Sequence, residues 1–310
     1  MLSASAQTDT SASLAPKDNR ANWVQTCSDW DEWDKPAPPY RIHGQSYYVG
    51  TCGISAILIV GADGLVLLDS ATREGSEVIA ANIAQLGHSI NEVKALLISH
   101  EHYDHIGGMA RLQQHSGAAV YSGLAAASVV RTGKDDPRDP QAGLHAPMEP
   151  VTGDVHSVGD GETITIAGID ITGIATPGHT LGAMSWQWQS CEDGECVMIV
   201  YGDSLSPVSA DGYRFSDHPD YVAMFRGGIA RLAELDCDLL LTPHPSASDM
   251  RTRLAGQAAW IDADACKIYA VKVSQRLDDR LAKEAQLAVV EKLELNFYHA
   301  TNSLESNLDA

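Results

Sequence analysis

Six consecutive residues constrain this chain more than any other feature: His100, Glu101, His102, Tyr103, Asp104 and His105 put three imidazoles and the Asp104 carboxylate within one short run. Imidazole nitrogens and carboxylate oxygens are the donors zinc prefers. The cluster follows residues 95–98, a wholly apolar run of strand length. It therefore sits in a loop at the C-terminal end of a strand, where α/β proteins place their sites. Such a loop can turn alternate side chains toward two different ions. Gly107 and Gly108 follow and let the backbone pass tightly into the next helix. Two more histidines complete a ligand set. His179 lies in the run Thr176, Pro177, Gly178, His179, Thr180, and His244 in Leu241, Thr242, Pro243, His244, Pro245, each after an apolar segment and held by a proline-bearing turn. The remaining histidines, at 43, 88, 115, 145, 156, 218 and 299, have no comparable context and read as surface or core side chains. His145 stands apart, because residues 135–150 have the length and Pro/Gly content of a flap near a site.

Around the histidines, short apolar runs bounded by Gly or Asp predict strands at 47–49, 54–60, 64–68 and 95–98. A second series is predicted at 163–166, 169–174, 184–188, 197–201 and 239–241. Apolar spacing predicts helices over 75–86, 221–235 and 262–286. Each half runs from strands to helices, which suits two sheets packed face to face with helices outside. We read residues 1–22 as a flexible N-terminal arm and 23–310 as a single domain, since no linker divides the rest.

Charge narrows the partners. Twenty-one Lys and Arg face 41 Asp and Glu, a net charge of −20, which repels nucleic acid. No apolar run reaches the roughly 20 residues of a membrane span. A small-molecule substrate and a monomer are expected. The six cysteines, at 27, 52, 191, 196, 237 and 266, show no paired Cys-x-x-Cys zinc spacing. Three disulfides are the natural reading, with six reduced thiols of an intracellular protein as the alternative. Cys191 and Cys196 bracket a polar turn that a short bridge would staple. Ala4, Ser5 and Ala6 have the small-x-small form of a signal-peptidase site without the basic and apolar stretches that precede one. The expectation is an exported, periplasmic protein whose export signal has been trimmed.

At this point the chain resembles the metallo-beta-lactamase superfamily and, within it, subclass B3. The resemblance runs from about residue 23 to 283 and rests on segments 48–53, 99–108, 176–186, 202–206 and 242–248. It implies the four-layer αβ/βα sandwich of that family. It implies two Zn2+ ions, the first held by His100, His102 and His179 and the second by Asp104, His105 and His244, with a bridging hydroxide. Asp104 would also be catalytic, orienting the attacking oxygen. Ser204 and Ser206 would hold the substrate carboxylate, and Gln141 in the flap is a further substrate contact. The pairings it suggests are Cys27 with Cys52, Cys191 with Cys196, and Cys237 with Cys266. The implied activity is hydrolysis of the amide bond of beta-lactam antibiotics (penicillins, cephalosporins and carbapenems), which gives antibiotic resistance.

A thioester or lactone hydrolase of the glyoxalase II type competes, because it uses the same histidine motif with an aspartate bridging both metals. Neighbouring side chains on a strand alternate, so either Asp203 or Ser204 can face the metals. On the lactamase reading Asp203 is a buried supporting residue. A serine hydrolase would need Ser99 beside a base, and strand neighbours such as Ser99 and His100 are expected to point opposite ways. A vestigial zinc-binding protein is the remaining alternative, and the full ligand set argues against it.

Overall fold

The computed structural model describes residues 19–306, with side chains through residue 289. Residues 1–18, which carry the small-x-small motif and most of the expected arm, lie outside the described residues, as does the side chain of His299. The arm expected from the sequence covers residues 1–22. Helix α1 (Arg20–Thr26) begins inside that range, with Trp23 buried, and the Arg20 guanidinium donates to the carbonyl of Ile42 at 2.8 Å.

Strands β1 (Tyr40–His43), β2 (Ser46–Tyr48), β3 (Ile57–Gly61) and β4 (Gly64–Leu68) form an antiparallel meander. After helix α2 (Gly75–Gln85), strand β5 (Val93–Leu97) joins β4 in parallel. The chain continues through helices α3 (Tyr103–Ile106) and α4 (Met109–Ser116), strand β6 (Ala119–Gly123), helix α5 (Ala126–Thr132) and strand β7 (Val155–Val158). These seven strands make one sheet in sequence order. Strands β8 (Glu162–Ile166), β9 (Ile169–Ala175), β10 (Met184–Glu192) and β11 (Glu195–Tyr201) form a second antiparallel run. Helix α6 (Pro219–Ala233) leads to β12 (Leu239–Leu241), which pairs with β11 in parallel and completes a five-stranded sheet. Helices α7 (Met250–Leu254) and α8 (Ala265–Ser306) close the chain.

Strand alternation sorts side chains into layers. In β5, Ala95 and Leu97 pack between the sheets, whereas Leu96 packs outward with Ile79, Ile83, Met109 and Val129 of the helices. In β12, Leu239 and Leu241 face the inter-sheet core and Leu240 joins Phe225, Leu232 and Val273 on the other side. Helices thus cover the outer face of each sheet, giving an αβ/βα sandwich. Two buried tryptophans of β10 place their polar ends across the interface, Trp186 Nε1 donating to Ile98 O at 2.8 Å and Trp188 Nε1 to Ser46 Oγ at 3.0 Å.

Topology brings the motif loops together. Strands β9, β11 and β12 run the same way, so the turns after them share one edge of the second sheet. The loop after β5 joins them through the Met184 N–H, which donates to Ser99 O at 2.7 Å. Disulfides link Cys27 to Cys52, Cys191 to Cys196 across the β10–β11 hairpin, and Cys237 to Cys266 at the start of α8.

Two sequence readings need correction in detail. Residues 54–56, read as strand, are a connection before β3, because the Ser55 N–H donates to Pro243 O and not to a neighbouring strand. Helix α8 begins at Ala265 and continues to Ser306, well past 286, since no Gly or Pro interrupts that stretch.

Candidate metal centre and the cavity around it

The six histidine and aspartate side chains singled out in the sequence converge at the shared sheet edge. Donor atoms of His100, His102 and His179 lie within 4.8 Å of one another, as do those of His100, Asp104 and His105. His244 comes from the opposite side, its Nε2 lying 3.3 Å from Asp104 Oδ2, and His105 Nε2 is 3.1 Å from the same oxygen.

Four of the five imidazoles are held from behind by a hydrogen-bond partner, which decides which nitrogen stays free for a metal. His100 Nδ1 is 2.8 Å from Asp203 Oδ1. His102 Nε2 is 3.1 Å from Asp139 Oδ2. His179 Nδ1 is 2.9 Å from Ser206 O and 3.1 Å from Ser206 Oγ. His244 Nδ1 is 3.3 Å from Gly53 O, and His105 Nδ1 is 3.5 Å from Asp69 Oδ2. The opposite nitrogens remain: Nε2 of His100, His179, His105 and His244, and Nδ1 of His102. His100 Nε2 and both ring nitrogens of His105 are buried with no hydrogen-bond partner. Buried polar atoms are normally satisfied, so orphaned imidazole nitrogens facing one another fit a metal. The donor set of five imidazoles and one carboxylate is suited to zinc.

The electrostatics separate two halves. Burial, aided by the neighbouring imidazoles, pushes His100 well below the usual histidine range and His179 down to about 3, so both are neutral and offer a lone pair. Burial opposes charge on His105, yet Asp104 and Asp69 raise it to about 10. Burial acts against the Asp104 carboxylate as well, but His105 and His244 hold it well below the usual range. Asp104 is thus held as a carboxylate, with its charge met by His105. Burial pushes Asp203 up to about 8. It stands behind His100, and Asp203 is not among the clustered donors.

The backbone enforces this arrangement. Asp69, at φ 59°, accepts from the Ser99 N–H and Oγ, both at 2.7 Å, and from the Tyr201 hydroxyl at 2.8 Å. Ser99 Oγ comes within 3.2 Å of His100 Nδ1, so the expectation that these neighbours point apart is wrong. Ser99 is nevertheless fully buried and its hydroxyl is committed to Asp69, which takes Ser99 out of reach of a substrate. Buried Glu101 accepts from Thr180 Oγ1 at 2.7 Å and the Gly182 N–H at 3.1 Å, tying the two histidine loops together. Gly178 needs to be glycine because a Cβ there would overlap the Phe225 ring. Leu205 sits in the left-handed region at φ 44°, an uncommon conformation for leucine, between Ser204 and Ser206.

A cavity of about 440 Å³ opens on the cluster, lined by His102, Asp104, His179 and His244 and by Ser204, Ser206, Gln141, His145, Trp30, Trp33 and Arg276. Ser204 is buried and its hydroxyl has no hydrogen-bond partner. Gln141 Nε2 lies 3.5 Å from His102 Nδ1. The flap 135–150 supplies Gln141 and His145, and His145 stacks on Tyr103 at 5.6 Å and meets Trp33 at 6.1 Å. Reading the sequence did not identify Asp69, Asp139, Trp30, Trp33 or Arg276 as functional. Histidine reading also missed that Ser206 holds His179.

The model of the metallo-beta-lactamase superfamily matches residues 49–193. The solved structure of the MIM-2 metallo-beta-lactamase is 55% identical, covering 86% of this chain and 98% of that one, with a TM-score of 0.81. The chain belongs to the metallo-beta-lactamases. MEM-A1, a subclass B3 metallo-beta-lactamase from a soil metagenome library, is 40% identical over 82% of this chain and 99% of its own, with a TM-score of 0.79. A hydroxyacylglutathione hydrolase of Salmonella typhi is 30% identical over 161 residues, 49% of this chain. The metallo-beta-lactamase chain spans about half the length, 55%, of that curated relative. These relatives place the chain in subclass B3; Ser204 lies beside the cluster, with Asp203 turned to the back of His100.

Proposed function

We propose that the protein hydrolyses the amide bond of beta-lactam antibiotics with two zinc ions, the first on His100, His102 and His179 and the second on Asp104, His105 and His244. The observation that carries this reading is the set of inward-facing ring nitrogens, each left bare because its opposite nitrogen is engaged from behind. When bound, the ions supply Lewis-acid activation of a water and of the scissile carbonyl. The chain's own residues do the rest. Asp104, whose Oδ2 lies between His105 and His244, orients the attacking oxygen. Ser204 and Ser206 offer hydroxyls to the substrate carboxylate, and the buried Ser204 hydroxyl has no competing partner. Gln141 contributes an amide from the flap. Trp30 and Trp33, both partly exposed, give the mouth an apolar wall for the substituents of the lactam.

The glyoxalase II reading needs an aspartate bridging both metals, and Asp203 is engaged with the far nitrogen of His100. The three disulfides fit an oxidising compartment such as the periplasm. Among the described residues no helix is long and apolar enough to cross a membrane. The deciding experiment offers zinc-loaded protein a carbapenem, a penicillin and S-lactoylglutathione, each with and without EDTA. Chelator-sensitive loss of the beta-lactams alone is expected. Turnover of the thioester alone would make this a glyoxalase-type enzyme.

A further inference from the structure

Arg276 is the one Lys or Arg among the residues lining the cavity. It lies on α8, away from every segment that supplies a metal-ligand candidate, and its side chain is exposed. Three other cations of that helix are paired: Lys267 with Asp264, Lys272 with Asp249, and Arg280 with Glu284. Arg276 has no ion pair or hydrogen bond among the described residues. In a chain of net charge −20, an unpaired guanidinium at the mouth of the site is an exception.

The position is fixed by the rest of the helix. The Cys237–Cys266 bridge anchors its first turn, and Tyr269 and Val273 are buried against the second sheet. The Tyr269 hydroxyl donates to Ser204 O at 2.5 Å and to Asp203 O at 3.3 Å, so α8 grips the segment that carries both cavity serines. Arg276 is seven residues further on, two turns along the same helix face and about 10 Å along the axis. The Arg276 charge also acts on the Tyr269 phenol, opposing the effect of its burial.

We propose that Arg276 is a specificity-determining residue, recognising the carboxylate of an anionic substrate from the α8 side of the cavity while Ser204 and Ser206 approach it from the β11 side. The inference rests on the hydrolase reading above and adds to it a charge the serines lack. A guanidinium presents a planar fork of donors that matches a carboxylate, and a charged partner is stronger than a hydroxyl. It also draws an anion toward a site on an otherwise acidic protein.

The test measures kcat and KM of the zinc-loaded wild type and of Arg276→Ala, Arg276→Lys and Arg276→Glu on a penicillin and on its methyl ester, at low and high salt. In Arg276→Ala, KM for the acid rises and the acid-to-ester ratio of kcat/KM falls about tenfold, the effect of losing one charge-assisted contact. Arg276→Lys recovers most of the ratio, Arg276→Glu lowers it further, and high salt weakens the preference of the wild type more than that of Arg276→Ala. An equal ratio in all four proteins, with hydrolysis intact, removes Arg276 alone. Failure of the wild type to hydrolyse either penicillin removes the hydrolase reading and this inference with it. Melting temperatures check that the exposed substitutions leave the fold intact.

Discussion

Asp139 of the flap accepts a hydrogen bond from Nε2 of His102, Oδ2 lying 3.1 Å away, and its other oxygen accepts from the Gln141 N–H at 2.6 Å. One carboxylate thereby sets the tautomer and direction of a metal-ligand candidate and the shape of the loop beside it. Burial disfavours charge on His102, and Asp139 more than offsets this. Asp139→Asn keeps the shape and removes the charge. Losing a partner behind a ligand histidine weakens metal affinity or activity by about 10- to 100-fold. Zinc affinity measured by competition with a chromophoric chelator, alongside kcat/KM, reads the effect. A zinc affinity equal to the wild type would deny Asp139 this role.

The Cys237–Cys266 bridge spans 29 residues and fastens α8, the helix whose Tyr269 supports the Ser204 segment. Replacing both cysteines by serine frees that loop in the unfolded chain, a loss of roughly 3–4 kcal/mol by loop-closure entropy. Thermal unfolding is expected to move down by several degrees, with KM for a beta-lactam rising because the serine segment loses its brace. A melting temperature within one degree or so of the wild type would show that the bridge constrains little.

Trp33 is 39% exposed at the mouth of the cavity and meets His145 of the flap at 6.1 Å. A bound substrate with a bulky apolar substituent covers more of that ring, and burying aromatic surface favours binding by about 25 cal/mol per Å². Trp33→Ala is expected to raise KM several-fold for such substrates and less for small ones, with kcat nearly unchanged. Steady-state kinetics on a pair of penicillins differing only in side-chain size distinguishes this from a general loss of fold, which would affect both alike.

Much of this architecture was legible because strands and ligands leave local traces. The apolar runs that became β4, β5, β11 and β12 have the length and boundaries of strands, and the histidine cluster announces its loop. What escaped depends on distant segments. Strand β6, reading Ala-Val-Tyr-Ser-Gly, is as long as β5 but too mixed in polarity to stand out, and it is a strand because β5 and β7 pair with it on either side. Asp69, Asp139 and Asp203 are ordinary aspartates in sequence. Each gains its role from a histidine, 36 residues away for Asp69 and His105, 37 for His102 and Asp139, and 103 for His100 and Asp203. No spacing rule connects such pairs; the sandwich does. Arg276 resembles every other exposed cation until the helix is laid against the cavity.

Glu284 lies on the same helix and is only 4% exposed. Its Oε1 accepts from the Phe215 N–H at 3.1 Å and Arg280 Nε at 2.6 Å, and its Oε2 from the Ser216 N–H at 2.8 Å. Burial alone would raise its pKa, but the backbone N–H of Ser216 and the Arg280 guanidinium outweigh it, and the carboxyl titrates below its ordinary value of 4.5. A carboxylate depressed on folding contributes stability that is present above its unfolded pKa and lost as pH falls through the folded value. Glu284→Gln is therefore expected to lower stability by about 1–3 kcal/mol near pH 7, because an amide nitrogen replaces one acceptor of buried N–H groups. The gap between wild type and variant should narrow as pH drops below about 4.5, where the carboxyl of the unfolded chain begins to take up a proton, and close as pH falls through the lower folded value. Denaturant midpoints at a series of pH values from neutral to acidic test the sign directly: a gap that widened in acid would mean that Glu284 is stabilised in its protonated form.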